Sequence, residues 1–229
     1  MLNFKNFLLQ RRHRKISYSQ CGEDVILSFI FRNLVPIEKP TYLDVGCHHP
    51  FHLNNTYLFY KSGSKGINVD ANQNAINLFS KHRKRDINVC VGVSDFNGFL
   101  PFYHQKDPSL STFESNNYNN LNKSITKVEQ IEVITISKLI EQYNLNKFPD
   151  LLCIDAEGFD AIILKSINFA GSIPKVICVE TIKQTSELNW VRDFDLVSFL
   201  EFNGYYKHSD TGINTIFINK TSLVHNIKW

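Results

Sequence analysis

The chain has 229 residues, 43% of them hydrophobic and 21% charged, and a formal net charge of +3 at pH 7. That is enough chain and apolar content for one globular domain with a full core, and the charge is too small to favour nucleic acid as a partner. No stretch approaches the roughly 18 to 20 apolar residues of a membrane span, so a cytoplasmic location is expected. A single domain over 1–229 is expected, with a helical N-terminal segment (1–40) and an insertion of strands and a lid-like loop (98–134). In the first of these, the basic run Arg11–Lys15 follows the short apolar stretch Phe4–Leu9 and reads as a solvated helix end. The charge comes after the apolar residues, which is the wrong order for a signal peptide. Three of the five cysteines, Cys90, Cys153 and Cys178, lie inside apolar runs and read as reduced core residues.

From Ser17 to Asp24 several capping side chains precede Val25–Phe31, whose apolar spacing suits a helix packed on a sheet. Pro36 and Pro40 then break the chain. Strand and helix alternate beyond them: strand 41–45, helix about 54–62, strand 66–70, helix about 73–83 and strand about 88–93, each strand apolar enough to be covered on both faces. Such alternation argues a parallel sheet with crossover helices. Asn97-Gly98 ends the run. Two strand-like pieces, Phe99–Tyr103 and Val128–Ile134, then flank a polar stretch, His104–Lys127, long enough to be a lid or binding loop. Helix Ile136–Tyr143, an apolar strand over Asp150–Asp155 and strand Lys175–Val179 follow. The tail reads as helix 193–202 and strands at about 205–208 and 213–218, joined closely enough to form an antiparallel hairpin.

The chemistry gathers at the strand ends. Thr41–Val45 stops at once on Gly46, a residue that lets the backbone turn tightly and a ligand come close, with Asp44 beside it. Strand 66–70 ends on Asp70, which can accept both hydroxyls of a ribose. The Gly-X-Gly-X-X-Gly pattern of a pyrophosphate binder is missing, which points to S-adenosylmethionine before a dinucleotide. Cys47, in the glycine loop, reads as ligand-lining. His48 and His49 on the same loop could orient the acceptor or serve as base, or be hydrogen-bonded loop histidines. Asp155, Glu157 and Asp160 lie just past the fourth parallel strand, and Glu180 ends the fifth. Close carboxylates raise one another's pKa, as a general base requires, and Asp155 with Glu180 could instead hold a divalent cation, Mg²⁺ or Mn²⁺. Asp160 falls where a helix starts, a place that favours a carboxylate on structural grounds. Asn54 and Asn55 could contact the acceptor or cap a helix.

Tyr18-Ser-Gln-Cys-Gly-Glu-Asp24, Leu43-Asp-Val-Gly46, Asn54-Asn-Thr-Tyr57, Gly66-Ile-Asn-Val-Asp70, Ser111-Thr-Phe113 and Ile154-Asp-Ala-Glu-Gly158, in that order, resemble the FkbM family of S-adenosylmethionine-dependent O-methyltransferases. The resemblance runs from about Ser17 to Ile218. It implies an α/β, Rossmann-like class I methyltransferase fold: a seven-stranded, mostly parallel sheet with a C-terminal antiparallel hairpin and an inserted strand pair carrying a long loop. It implies methyl transfer to a hydroxyl, often of a sugar or polyketide, so that the expected acceptor is a small molecule, a sugar or sugar nucleotide of surface-glycan biosynthesis. Asp44, Gly46 and Asp70 match the family's cofactor positions, with Cys47, His48, Ala71 and Asn72 beside them, and Ser94-Asp95 falls where a third motif meets the adenine. Ser111, Thr112, Asp210 and Asn214, with Asn54 and Asn55, are the expected acceptor contacts, and Asp155, Glu157 and His49 the catalytic candidates. Cys47-His48-His49 replaces the small residues more usual after the glycine. Asp70-Ala71-Asn72 stands where many members have Glu-X-Pro, and Asp210–Asn214 only roughly matches Asp-Gly-Leu-Asn. A methyltransferase acting on a protein or lipid-linked glycan and a non-catalytic nucleotide-binding module are the competing readings. Intact acids at four strand ends argue against the second.

Overall fold

A computed structural model describes residues 13–113, 125–144, 147–184 and 189–224. The first element, α1 (Glu23–Asn33), is followed by β1 (Tyr42–Val45), α2 (Tyr57–Lys61), β2 (Gly66–Asp70), α3 (Gln73–His82), β3 (Ile87–Cys90) and β4 (Gly92–Ser94). Then come β5 (Gly98–Gln105), β6 (Ile125–Thr135), α4 (Ile136–Asn144), β7 (Leu151–Ile154), α5 (Asp160–Lys165) and β8 (Val176–Glu180). A small hairpin, β9 (Ile182–Gln184) with β10 (Trp190–Arg192), precedes α6 (Phe194–Phe202), β11 (Tyr205–Asp210) and β12 (Asn214–Asn219).

The seven-stranded sheet has the order β11-β12-β8-β7-β1-β2-β3. Its five strands from β3 to β8 are parallel, and β12 runs antiparallel to both β8 and β11. The order reverses direction at β1, and in open α/β sheets ligands bind outside the strands' carboxyl ends at such a point. This is the Rossmann-like class I methyltransferase arrangement, terminal hairpin included.

Period-two alternation within the strands builds a core on each face. Leu43, Val45, Leu152, Ile154, Ile177 and Val179 pack on one side, and Tyr42, Leu151, Cys153, Val176 and Cys178 on the other. Fully burying one such large apolar side chain stabilises the fold by about 1.5–3 kcal/mol, and both faces need cover because neither contains enough polar residues to meet water. The same parity puts Asp44 on the face of Tyr42, which decides its role below.

Val45 is level with Val69 and with Ile154, and Ile154 with Val179. The loops starting at Gly46, Asp70, Asp155 and Glu180 therefore open along one edge of the sheet.

Cys90, expected in the core, is exposed at the end of β3, and three further expectations change in detail. Residues 88–93 do not form one strand: β3 ends at Cys90, Val91 crosses over, and β4 joins a separate three-stranded sheet in the order β4-β6-β5. Gly92 sits at the break, where a Cβ would lie 2.5 Å from the Phe113 ring and 2.8 Å from Val133. The helix expected over 54–62 covers only Tyr57–Lys61, because the Asn54 and Thr56 side chains are drawn into contacts with Asp44. The start of α1 lacks a side-chain cap. Gly22 holds that position with a left-handed backbone, and Ser17 and Ser19 donate instead to Asp24. The central part of the expected lid, 114–124, and residues 1–12 of the basic N-terminal segment lie outside the described residues.

Candidate active site

A cleft at the carboxyl edge of the sheet is lined from β1 by Val45, Gly46 and His48, and from β2 and α3 by Asp70, Ala71, Asn72 and Ala75. Its walls are completed by Val91 and Val93, by Ser111 and Phe113, and by Asp155, Glu157 and Phe159. Gly46 is required on two counts. Its φ is +73°, and a Cβ there would stand 1.8 Å from the Asp155 carbonyl oxygen, so the loops after β1 and β7 meet backbone to backbone.

Asp70 ties two loops together. One carboxylate oxygen accepts the His48 N–H at 2.8 Å and the other the Asn72 N–H at 2.7 Å, and each keeps a second lone pair for a ligand hydroxyl. Burial raises its pKa above the ordinary carboxylate value, against the lowering effect of those two bonds. Asn72 also caps α3, its side chain accepting the Asn74 N–H.

The cleft is apolar on its β4 side. Phe113 packs 4.7 Å from Phe102 and 5.6 Å from Phe159, ring centre to ring centre, and with Val91 and Val93 these rings offer a surface for a flat base. A flap over residues 106–113 covers this side. The Gln105 N–H donates to Ser111, Tyr103 and Thr112 exchange backbone bonds, and the Thr112 hydroxyl donates to the Glu157 carbonyl at 2.8 Å.

On the β7 side, Glu157 has a left-handed backbone with φ 46°, followed by Gly158 at 100°. A non-glycine residue held there is strained, and Asp160 helps to fix the turn by accepting the N–H groups of Ala156 and Gly158. Asp155 lines the cleft and keeps part of its surface open to solvent. Burial, then the charges of Asp160, Asp44, Glu23 and Asp70, push Asp155 up to about 7. Burial, then Asp155, Glu180, Asp160 and Asp107, push Glu157 up to about 9. Glu180 is raised to about 8 by burial and then by Asp155 and Asp160.

The remaining expected site residues fall elsewhere. Asp44 is buried beneath the loop, its Oδ2 accepting from Thr56 Oγ1 at 2.7 Å and Asn54 Nδ2 at 3.1 Å. Asn54 is buried with it and also donates to the Cys47 carbonyl. Cys47 packs against Ile76 and Phe79. Asn55 reaches toward Cys178. Ser94 is buried and bonds the exposed Asp95. His49 stands outside the lining of the cleft. Its Nδ1 accepts the His52 N–H at 3.1 Å, which leaves the proton of the neutral ring on Nε2 and makes the outward nitrogen a donor. Burial and the neighbouring His48, His52 and His82 lower its pKa.

At the far edge, Asn214 lies opposite Glu180 in the sheet and donates to the buried Glu23, as does Thr211, so the N-terminal motif and the β11–β12 turn meet there. Asp210 is held by Arg192. Among the described residues no group of three or more His, Cys, Asp or Glu side chains is placed to hold a metal ion. The expected pair of Asp155 and Glu180 is therefore two carboxylates without a third ligand. Sequence reasoning overlooked the Phe102–Phe113–Phe159 wall, whose members are far apart in the chain, and Arg83.

A family profile described as "Methyltransferase FkbM domain" matches residues 44–206. No curated protein matches the chain. Solved structures similar to it include a TehB-like SAM-dependent methyltransferase from Corynebacterium glutamicum, 11% identical over 94% of this chain and 97% of that one, with a TM-score of 0.46. Another is the 1,6-didemethyltoxoflavin-N1-methyltransferase of Burkholderia thailandensis, solved with 1,6-didemethyltoxoflavin and S-adenosylhomocysteine. It is 10% identical over 86% of this chain and 75% of that one, with a TM-score of 0.41. A precorrin-6y C5,15-methyltransferase from Geobacter metallireducens is 12% identical over 90% of each chain, with a TM-score of 0.39. At such scores the fold assignment rests on the strand order itself.

Proposed function

We propose that this chain, which belongs to the FkbM family of methyltransferases, transfers a methyl group from S-adenosylmethionine to a hydroxyl of a small molecule, a sugar or sugar nucleotide. The observation that carries the reading is the set of carboxyls at the ends of β7 and β8, Asp155 and Glu157 lining the cleft and Glu180 ending the neighbouring strand, where burial and repulsion between carboxylates raise the pKa of all three. A methyl sulfonium is an electrophile ready for in-line displacement, which leaves the protein to align the acceptor and take its proton. A base for that task works best when its pKa lies near the operating pH, and a nitrogen acceptor with a free lone pair would not need one.

The residues present suit this cofactor. Asp70 keeps lone pairs for ribose hydroxyls, the Phe113 wall fits an adenine, and Gly46 lines the same cleft. Asp155, Glu157 and Glu180 favour a positive centre at the middle of the edge. In the proposed reaction Asp155 accepts the acceptor's proton and Glu157 holds a neighbouring hydroxyl. A divalent cation between Asp155 and Glu180 is the alternative means of acidifying the hydroxyl, and would need water or the acceptor itself to complete its shell.

The test is incubation of the pure protein with S-adenosylmethionine and a panel of free and nucleotide-linked sugars, read by mass for one added methyl. Turnover that persists after chelation would remove the cation from the scheme. Methylation confined to amines or protein side chains would replace the acceptor class.

A further inference from the structure

We infer that Arg83, outside the cleft, is a positioning residue that holds the cofactor loop 47–56 in its binding conformation. The inference rests on the cofactor reading above and concerns a cluster on the opposite face of β1. Arg83 caps the end of α3 and is fully buried, an uncommon place for a cation. Its Nε donates to Asp86 at 2.9 Å, Nη1 to the Pro50 carbonyl at 3.0 Å and Asn54 Oδ1 at 3.3 Å, and Nη2 to Tyr42 Oη at 2.9 Å and Thr56 Oγ1 at 3.0 Å. Tyr42, Tyr57, Tyr60 and Phe79 surround the guanidinium with ring centres 4.6–5.7 Å away. Asp86 is anchored in turn by the Tyr42 hydroxyl, the Gly66 N–H and Asn68 Nδ2.

Three of those five contacts fall on the one loop that needs holding. His48 and Leu53, within it, have φ of 52° and 50°, and such backbone persists only where its surroundings over-determine it. Arg83 fixes Pro50, Asn54 and Thr56. Asn54 carries the restraint to the Cys47 carbonyl and to Asp44. The next residue, His48, then presents its N–H to Asp70 in the cleft. A buried ion pair returns little net stability against an apolar replacement, so stability alone is a weak reason for this cluster. Its geometry accounts for it better: a planar fork reaches a carbonyl, an amide, two hydroxyls and a carboxylate at once, which an ammonium cannot do.

The test compares Arg83→Lys with the wild type below the unfolding temperature of both. Thr56→Val serves as a milder second variant should the first not fold. Hydrogen exchange of residues 47–56 in the ligand-free protein is expected to speed up at least about tenfold while the β11–β12 hairpin keeps its protection. The Kd for S-adenosylhomocysteine, by calorimetry, should rise about tenfold for Arg83→Lys and about threefold for Thr56→Val, with kcat at saturating cofactor within about threefold. A lower Tm with loop exchange and Kd unchanged would make Arg83 structural only and overturn the inference, as would faster exchange with unchanged affinity. If the wild type itself bound no S-adenosylhomocysteine, the cofactor reading would fall, and the exchange data alone would decide whether Arg83 holds the loop.

Discussion

Asp70 at the end of β2 and Asp155 after β7 line the same cleft but are treated differently by the fold. Asp70 engages each oxygen with a backbone amide, at 2.8 and 2.7 Å, and those bonds join the loops after β1 and β2. Asp155, Glu157 and Glu180 accept no hydrogen bond from a described residue, and their pKa values rise to about 7, 9 and 8. On the proposed reading the cofactor side is thus built in advance, while the acceptor side keeps acids whose natural partners are a proton, a cation or a ligand hydroxyl. Pre-organisation lowers the cost of binding on the first side. Carboxyls crowded together without hydrogen-bond donors on the second are a cost to stability of the kind that active sites carry.

The largest effect should come where the two sides touch. Gly46→Ala places a methyl 1.8 Å from the Asp155 carbonyl oxygen in a left-handed backbone, so both loops must move. A loss of about 4 kcal/mol or more is expected, in the class of severe backbone lesions, and denaturant unfolding with circular dichroism measures it. Near-wild-type stability would mean that the sides are not locked together.

Asp155→Asn should separate the sides chemically. If Asp155 takes the acceptor's proton, kcat falls by about 10²- to 10⁴-fold while S-adenosylhomocysteine binds within about threefold of wild type. Glu157→Gln, whose pKa is too high for a base at neutral pH, should cost less. The reverse ranking would move the base to Glu157.

Most of this comparison was legible in the sequence because it depends on local pattern. Apolar runs that stop on an acid located β1, β2, β7 and β8 to within a residue or two, and the Asn97-Gly98 break marked the start of β5. Asp44 shows the limit. An acid near a strand end suggested a ligand contact, yet two-residue alternation sets it with Tyr42 on the covered face, where Asn54 and Thr56 donate to it and the nearby charge of Arg83 favours its ionised form. The Arg83 cluster joins residues from Tyr42 to Asp86, and no local period encodes such a network.

On the proposed cofactor side, Asp70→Ala removes the proposed ribose acceptor and both loop ties. Charge-assisted hydrogen bonds contribute roughly 1.5–3 kcal/mol each, so calorimetry should show at least about a tenfold loss of affinity for S-adenosylhomocysteine. Unchanged affinity in a folded variant would place the cofactor elsewhere.

The smallest effect, and the sharpest on the acceptor side, is in pH. Asp155, Glu157 and Glu180 have folded pKa values above those of an unfolded chain, so between about pH 4 and pH 9 the folded protein binds more protons than the unfolded one. Their contribution to stability is therefore fullest at low pH and is lost as pH rises toward 9. Asp150 acts oppositely: burial raises its pKa, but bonds from Lys175 and Thr41 outweigh that and lower it, so its contribution fades in acid. The Tm of the ligand-free protein should pass through a maximum and decline on the alkaline side. A cationic sulfonium reverses that decline by favouring the ionised carboxyls, which the neutral sulfur of S-adenosylhomocysteine does not. The affinity ratio of S-adenosylmethionine to S-adenosylhomocysteine should then rise severalfold from pH 6 to pH 9, by at most about tenfold per pH unit for each linked proton. A ratio that stays flat across that range would show that the methyl-bearing sulfur does not sit beside these three acids.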